Sequence, residues 1–189
     1  MRGIASIGAL GKGCDFDFMI QMATPVENNG AFLKYQVSTN IGGFYTVRGK
    51  TTDEVLHFIE LVRKTAQADE GYRTTKKKAK AIIKQLNFQK GSHIIKPVII
   101  DLMKQNHEET YRTSKIPILY IIGSQDKLVN SEDEIKTLES INNPNITISL
   151  ITGADHYLND IVDSSKESKS PYRMTTNALN EIITWTLEK

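Results

Sequence analysis

The chain has 189 residues, which is enough for one ordinary domain and short for two. Hydrophobic residues make up 39% and charged residues 24%, as in a globular protein rather than a disordered one. The net charge of +2 is too balanced to indicate a nucleic-acid partner, and the single cysteine, Cys14, excludes an internal disulfide and a CxxC metal site. No apolar run approaches the ~20 residues of a transmembrane helix, and the N-terminal residues make a poor signal peptide. We therefore expect no membrane partner and, by default, a cytoplasmic protein.

The first residues predict a helix followed by a strand. The run GIASIGAL is apolar and helix-like, and the glycines of GKG end it. The segment Asp17–Thr24, DFMIQMAT, is a plausible strand. Residues 25–49 contain scattered Gly and Asn and show no clear hydrophobic period.

A mostly helical block follows. Thr51–Glu54 has the spacing of a capping box and predicts a helix through about Asp69. Thr75–Leu86 predicts a Lys-rich helix, and Lys96–Gln105 a shorter apolar one. The basic run TTKKKAKAIIK lacks interleaved aromatic residues, so it is interpreted as the solvated face of a helix rather than a nucleic-acid contact.

The second half carries the strongest pattern. Ile116–Gly123 is a short apolar run that ends in Gly, as in a strand buried on both faces of a parallel sheet. Ser131–Glu134, SEDE, has capping-box spacing and predicts a helix to Ile141. Thr147–Gly153 predicts a second strand.

A helix closes the chain. Pro171 after Ser170 is placed at its first turn. Its predicted apolar face consists of Ala178, Leu179, Ile182, Ile183 and Trp185. The order strand, helix, strand, helix with short connections predicts a parallel α/β fold.

Two titratable residues follow the predicted strands of the second half. Asp126 lies three residues after Gly123, and His156 lies three residues after Gly153. Because catalytic groups of parallel sheets lie just past the carboxyl ends of strands, an acid and a histidine in this order predict the last two members of a Ser…Asp…His triad. In the alternative interpretation, Asp126 caps the turn that follows its strand and His156 is structural.

At these residues the sequence resembles the α/β-hydrolase superfamily, specifically its esterases and prolyl-oligopeptidase-like serine hydrolases. PILYIIGSQDKLV is similar to the strand and loop with the triad acid, and ISLITGADHYL to the last strand with the triad histidine. GIASIGALGKGCDFDFMIQMATP resembles the helix behind the nucleophile and the strand after it. The resemblance implies the C-terminal part of an α/β-hydrolase fold with a helical cap insertion.

The resemblance also implies a domain organisation and a reaction. Residues 1–24 and 113–189 would form the hydrolase core, and residues 25–112 a mostly helical cap that shapes the substrate pocket. The resemblance implies a carboxylic ester hydrolase, and a serine peptidase of the same fold is the other possible enzyme. The partner would be a small-molecule ester or short peptide, and no cofactor or metal is expected.

The sequence departs from the family at the nucleophile. No Gly-x-Ser-x-Gly occurs, and Gly3–Gly8, GIASIG, has the wrong spacing. In this alignment the nucleophile precedes Met1, and Arg2 takes the place of the motif's second Gly. We therefore expect this chain to be inactive alone, with the serine supplied by an N-terminal half or a partner chain. The alternative is a non-catalytic binding or assembly module, with a homo-oligomer covering the bare sheet edge.

The remaining candidates have ordinary interpretations. Asp155 is the competing acid beside His156 and is expected to be a turn residue, and Asp160 a helix cap. Cys14 is expected to be an inert small hydrophobic residue, with a thiol nucleophile as the remote alternative. Three further histidines, without metal-ligand spacing, are interpreted as surface or packing residues: His57, His93 and His107.

Overall fold

The structure, a computed structural model, describes residues 2–39, 49–68, 70–88, 96–161 and 174–189. The chain forms two compact units, one of Met1–Glu27 with His107–Lys189 and the other of Asn28–Asn106. The strands are β1 Met19–Met22, β2 Ile118–Gly123 and β3 Ile146–Ile151. The helices are α1 Arg2–Leu10, α2 Phe32–Thr39, α3 Thr52–Gln67, α4 Tyr72–Gln85, α5 Pro97–Lys104, α6 Glu108–Thr113, α7 Ser131–Ile141 and α8 Thr176–Leu187. None of the described helices is long and apolar enough to cross a membrane.

The first unit contains a three-stranded parallel sheet in the order β1-β2-β3. Ile118 in the central strand aligns with Met19 on one side and Ile146 on the other. All six residues of β2 are buried, which explains its continuous apolar sequence. The predicted parallel sheet is therefore confirmed, as is the predicted burial of Ile116–Gly123 on both faces. Each observed strand begins and ends inside its predicted segment or one residue outside it.

Helices cover both faces of this sheet. Alternate side chains of β2 point to opposite faces, so that Tyr120 and Ile122 belong to one apolar cluster and Leu119 and Ile121 to another. The first cluster also contains residues of α1, α6 and α7: Ile7, Tyr111, Leu138 and Ile141. The second contains residues of α8: Ala178 and Trp185. The result is a three-layer α/β arrangement, built around one fully buried strand.

The start of α7 differs from the prediction. The N-cap is Asn130, whose side-chain oxygen accepts the N–H of Glu132 at 3.2 Å, rather than Ser131. Glu134 does not reach back to the cap, because its carboxylate instead points into the protein and accepts the N–H of Val26 at 2.7 Å. The predicted SEDE capping box is therefore wrong, although the predicted helix is present.

The C-terminal helix has a cap that the sequence analysis did not identify. The side chain of Thr175 accepts the N–H of Ala178 at 3.0 Å, so α8 begins at Thr176. Pro171, predicted at the first turn, lies outside the described residues. Trp185, on the predicted apolar face, is buried and donates from Nε1 to Thr147 Oγ1 at 3.0 Å. The prediction is wrong for Leu179 and Ile183, which are each 47% exposed because they lie on the side of α8 away from the sheet.

The second unit is helical. The predicted capping box at Thr51–Glu54 is confirmed, since Thr51 Oγ1 accepts the Glu54 N–H and the Glu54 carboxylate accepts the Thr51 N–H. The Lys-rich helix α4 begins at Tyr72, three residues before its predicted start. Helix α2 of this unit, and α6 of the first unit, have no counterpart in the sequence analysis.

Candidate active site

Asp126 lies in the loop that leaves the carboxyl end of β2, and its carboxylate has two different contacts. Oδ1 accepts the backbone N–H groups of Leu128 at 2.7 Å and Val129 at 2.9 Å. Oδ2 lies 2.8 Å from His156 Nδ1. The side chain is fully buried, so both oxygens act in a buried setting. The two sequence-based interpretations of Asp126 are therefore compatible, because one oxygen caps the turn and the other contacts the histidine.

His156 lies in the loop after β3, and its side chain is 23% exposed. A carboxylate only accepts hydrogen bonds, so Asp126 Oδ2 favours the tautomer with a proton on Nδ1. In the neutral ring, Nε2 then carries the lone pair that can accept a proton. The Tyr157 ring packs edge-on against the imidazole, with 5.2 Å between ring centroids. The structure thus brings the two predicted site residues together, 30 positions apart in the sequence.

Backbone contacts hold the two loops against each other. Ser124 N–H donates to Ile151 O at 3.0 Å, and Gln125 N–H donates to Ala154 O at 2.9 Å. The hydroxyl of Ser124 accepts the N–H of Gly153 at 2.9 Å. These bonds extend the β2–β3 pairing past the strand ends, so the spacing between Asp126 and His156 is set by the sheet rather than by side chains alone.

Gly123, the last residue of β2, makes this close approach of the loops feasible. A Cβ at this position would overlap the carbonyl oxygens of Ala154 and Asp155. Those two residues immediately precede His156 in the sequence. Only a residue without a side chain therefore fits where the acid loop passes the histidine loop.

Asp155, the competing acid, does not contact the imidazole by a hydrogen bond. Its Oδ1 accepts the N–H groups of Tyr157 at 2.8 Å and Asn159 at 2.9 Å, as in an Asx turn. The residue is fully buried, and Oδ2 has no hydrogen-bond partner among the described residues. The structure places Asp155 in the turn, as the sequence analysis expected.

The remaining candidates are separate from the Asp126–His156 pair or outside the described residues. Asp160 is exposed, and its backbone bridges to Ala154. Cys14 is an exposed free cysteine. His57 is exposed in α3, and His93 lies outside the described residues. Within the part of the chain that the structure describes, no group of three or more His, Cys, Asp or Glu residues could hold a metal ion.

His107 is a packing residue whose pKa is lowered because burial disfavours the charged ring. Its side chain lies next to Gly8 of α1, and the residue is 8% exposed. Its neutral ring therefore fills space between α1 and the turn before α6.

Glu134 is a buried carboxylate that sequence reasoning assigned to a capping role. Oε2 accepts the N–H groups of Val26 at 2.7 Å and Glu27 at 3.0 Å. Burial raises its pKa to about 8, and the two backbone bonds only partly offset that effect. The phenol pKa values of Tyr111 and Tyr120 are also raised, by burial and by the nearby Glu134 carboxylate. No sequence signal identifies this cluster, because its members come from α6, β2 and α7.

Comparisons with known proteins agree with this architecture. No protein-family model and no curated protein sequence matches the chain. Among solved structures, the chain is similar to E-2-(acetamidomethylene)succinate hydrolase, with 14% identity and a TM-score of 0.51 over 99% of this chain and 63% of that one. A variant of a meta-cleavage product hydrolase shows 16% identity and a TM-score of 0.44 over 98% and 61% of the two chains.

The sheet topology and the first of these similarities define the class of fold. The chain has an α/β-hydrolase fold over the part of that fold that it spans. Two findings show this, namely the three parallel strands with flanking helices and the structural similarity to a known hydrolase. The predicted fold class is therefore confirmed. The chain spans less than two thirds of the length of the hydrolase structures it resembles.

Proposed function

We propose that this chain carries the acid and the histidine of a serine hydrolase that acts on carboxylic esters. The single observation that carries the proposal is the 2.8 Å contact between His156 Nδ1 and the buried Asp126 Oδ2. A structural histidine needs no buried carboxylate fixed by two backbone N–H groups, whereas a general base needs its tautomer set and its positive charge stabilised.

In this proposal the nucleophile is a serine outside these 189 residues, because no Gly-x-Ser-x-Gly occurs in them. Its Oγ attacks the ester carbonyl carbon while its proton passes to His156 Nε2. The tetrahedral intermediate then collapses and expels the alcohol, whose oxygen receives the proton from His156 Nε2. Water then attacks the acyl-enzyme in the same way and releases the carboxylic acid. Asp126 stays ionised throughout and stabilises the imidazolium.

A peptidase of the same fold would use the same residues, since the fold does not determine the substrate. The acid–histidine pair supplies proton transfer to an amine or to an alcohol leaving group equally well. We place ester hydrolysis first because an alcohol is a better leaving group than an amine, so the acyl transfer makes a smaller demand on the site.

The proposal predicts that the 189-residue chain alone does not react with a fluorophosphonate, whereas a longer polypeptide extended upstream in frame does. In that longer polypeptide, His156→Asn should abolish hydrolysis of an activated short-chain ester. His57→Asn, in the exposed face of α3, is the matched control and should retain it. Activity of the 189 residues alone that depends on His156 would show that the nucleophile lies within the chain and would refute this assignment.

The second candidate is a non-catalytic binding or assembly module, and two observations favour it. The sequence contains no nucleophile motif. Among the described residues, β1 pairs only with β2, so its other edge has no strand partner, and Met22 on it is 43% exposed. Such an edge is a template for association, with a homo-oligomer as the expected product. Absence of labelling in the longer polypeptide, with a stable oligomer of the 189 residues by light scattering, would favour this candidate.

A further inference from the structure

The turn that carries His156 is closed by the residue immediately before it. Asp155 Oδ1 accepts the N–H groups of Tyr157 at 2.8 Å and Asn159 at 2.9 Å. The Asp155 backbone N–H donates to Asn159 O at 2.9 Å, and its carbonyl accepts the Leu158 N–H at 3.0 Å. Asp155 thus makes four hydrogen bonds within the turn, two through its carboxylate and two through its backbone.

The turn needs this support because its backbone is strained. Leu158 has φ +60°, in the left-handed region that residues other than glycine rarely adopt. Leu158 is fully buried in the apolar cluster beneath α8, and its carbonyl accepts the Thr175 N–H at 2.7 Å. The bonds from Asp155 lie on both sides of this strained residue and hold it in place.

We propose that Asp155 is a positioning residue whose carboxylate oxygen sets the turn so that His156 Nδ1 faces Asp126 Oδ2. The proposal concerns the same site as the proposed function and, for its effect on turnover, rests on it. Asp155 acts through the backbone of the turn and is not itself a catalytic residue.

The contacts indicate that the acceptor oxygen matters rather than the negative charge. None of the salt bridges among the described residues involves Asp155, and its buried Oδ2 has no hydrogen-bond partner there. The buried side chain of Asn159 has none either. An asparagine at position 155 keeps one carbonyl oxygen for the Tyr157 and Asn159 N–H groups. An alanine leaves both N–H groups without that acceptor.

The test measures the imidazole geometry directly. A proton held between His Nδ1 and a carboxylate gives a strongly downfield proton resonance, and His156→Asn assigns it by removing it. We expect Asp155→Asn to keep this resonance and Asp155→Ala to lose it. In the longer, nucleophile-containing polypeptide, Asp155→Ala should lower kcat about 100-fold with KM changed by less than about 3-fold, and Asp155→Asn should stay within about 3-fold of the unmodified protein.

Two further variants separate positioning from a general loss of stability. Thr175→Ala removes the N-cap of α8, which lies beside the turn, and leaves the Asp155 bonds intact. It should keep the resonance.

Asp155→Ser retains an acceptor oxygen on a shorter side chain. It should give a weaker resonance, from a proton that exchanges faster with water than in Asp155→Asn. This variant serves in place of Asp155→Ala if the alanine protein does not fold.

Each remaining outcome overturns the proposal. Persistence of the resonance in Asp155→Ala would show that the turn does not need the carboxylate. Its loss in Asp155→Asn would mean that the charge is required, and its loss in Thr175→Ala would mean that any nearby destabilisation has the same effect. If the unmodified chain shows no such resonance, the hydrogen bond that Asp155 is proposed to position does not form. If the longer polypeptide hydrolyses no ester, the proposed function fails, while the resonance still decides the positioning role.

Discussion

The carboxylate of Glu134 and the backbone N–H of Val26 form a 2.7 Å hydrogen bond across 108 positions of sequence. Glu134 is fully buried, and burial raises its pKa from 4.5 to about 8. The same carboxylate also binds the N–H of Glu27, so it fixes the segment that follows β1 to the first turn of α7. Because the pKa of Glu134 is raised, the stability of the unit that contains the three-stranded sheet depends on pH.

Glu134→Gln should therefore make the protein less sensitive to alkaline pH. Between pH 4.5 and 8 the folded protein holds a proton on Glu134 that the unfolded chain releases. Each unit by which the pH rises in this range therefore lowers the contribution of Glu134 to the free energy of unfolding by about 1.4 kcal/mol. This contribution is fully present below pH 4.5 and is lost as the pH rises through 8. Glutamine still accepts both backbone N–H groups but does not ionise.

Urea unfolding from pH 5 to 9 measures this difference. The Gln variant should match the unmodified protein near pH 5 and exceed its stability near pH 8.5. Glu139→Gln, at an exposed position on the same helix, is the matched control and should follow the unmodified profile. Equal pH slopes for the Glu134 variant and the unmodified protein would contradict the shifted pKa.

Gly123→Ala should destabilise the protein by at least ~2 kcal/mol. The added Cβ overlaps the backbone carbonyl oxygens of Ala154 and Asp155, which cannot move without displacing the loop that carries His156. The control is Gly8→Ala in α1, where a Cβ meets only His107 Cε1 at 3.7 Å. That change should stabilise by about 0.5–1 kcal/mol, because alanine favours the helix. Thermal unfolding distinguishes the two, and a neutral Gly123→Ala would show that the loops tolerate a wider spacing.

Two substitutions of Asp126 should separate its two functions. Asp126→Asn retains an oxygen for the Leu128 and Val129 N–H groups and should change stability by less than about 1 kcal/mol, while it removes the charge that faces His156. Asp126→Ala removes the side-chain acceptor of both N–H groups and should cost about 1–3 kcal/mol.

Hydrolysis should respond differently from stability at this position. In the longer polypeptide of the proposed function, both Asp126 variants should lose about 10⁴-fold in kcat, because either one removes the carboxylate that sets the histidine tautomer. Equal stability of the Asn and Ala variants would mean that the turn does not depend on Oδ1, and an active Asn variant would exclude the triad role.

Asn130→Ala should cost α7 about 1 kcal/mol, whereas Ser131→Ala should be nearly neutral. Asn130 caps the helix through the Glu132 N–H and also contacts Asp133, but Ser131 is already inside the helix. Urea unfolding of the two variants measures the difference. The reverse order of stabilities would restore Ser131 as the cap that the sequence pattern predicts.

The sequence alone predicted most of the parallel sheet and the meeting of Asp126 with His156. Both predictions rest on local properties, namely apolar runs that end in glycine and titratable residues three positions later. In a parallel sheet the carboxyl ends of neighbouring strands coincide, so two such loops meet wherever their strands pair. That rule needs no side-chain detail. Helices α2 and α6 were not predicted because each is short and has no cap pattern or clear apolar period.

Only the tertiary structure decided what the other acidic residues do. The pattern SEDE has the same spacing whether Glu134 turns back to the cap or into the protein, and the choice depends on the N–H groups of Val26 and Glu27, far away in the chain. Asp126 and Asp155 are likewise both acids in post-strand loops. Asp126 contacts His156 across the sheet because β2 and β3 pair, and Asp155 is turned into its own loop by the Tyr157 and Asn159 N–H groups. A carboxylate binds the donors that the folded backbone brings to it, and local sequence does not specify which donors those are.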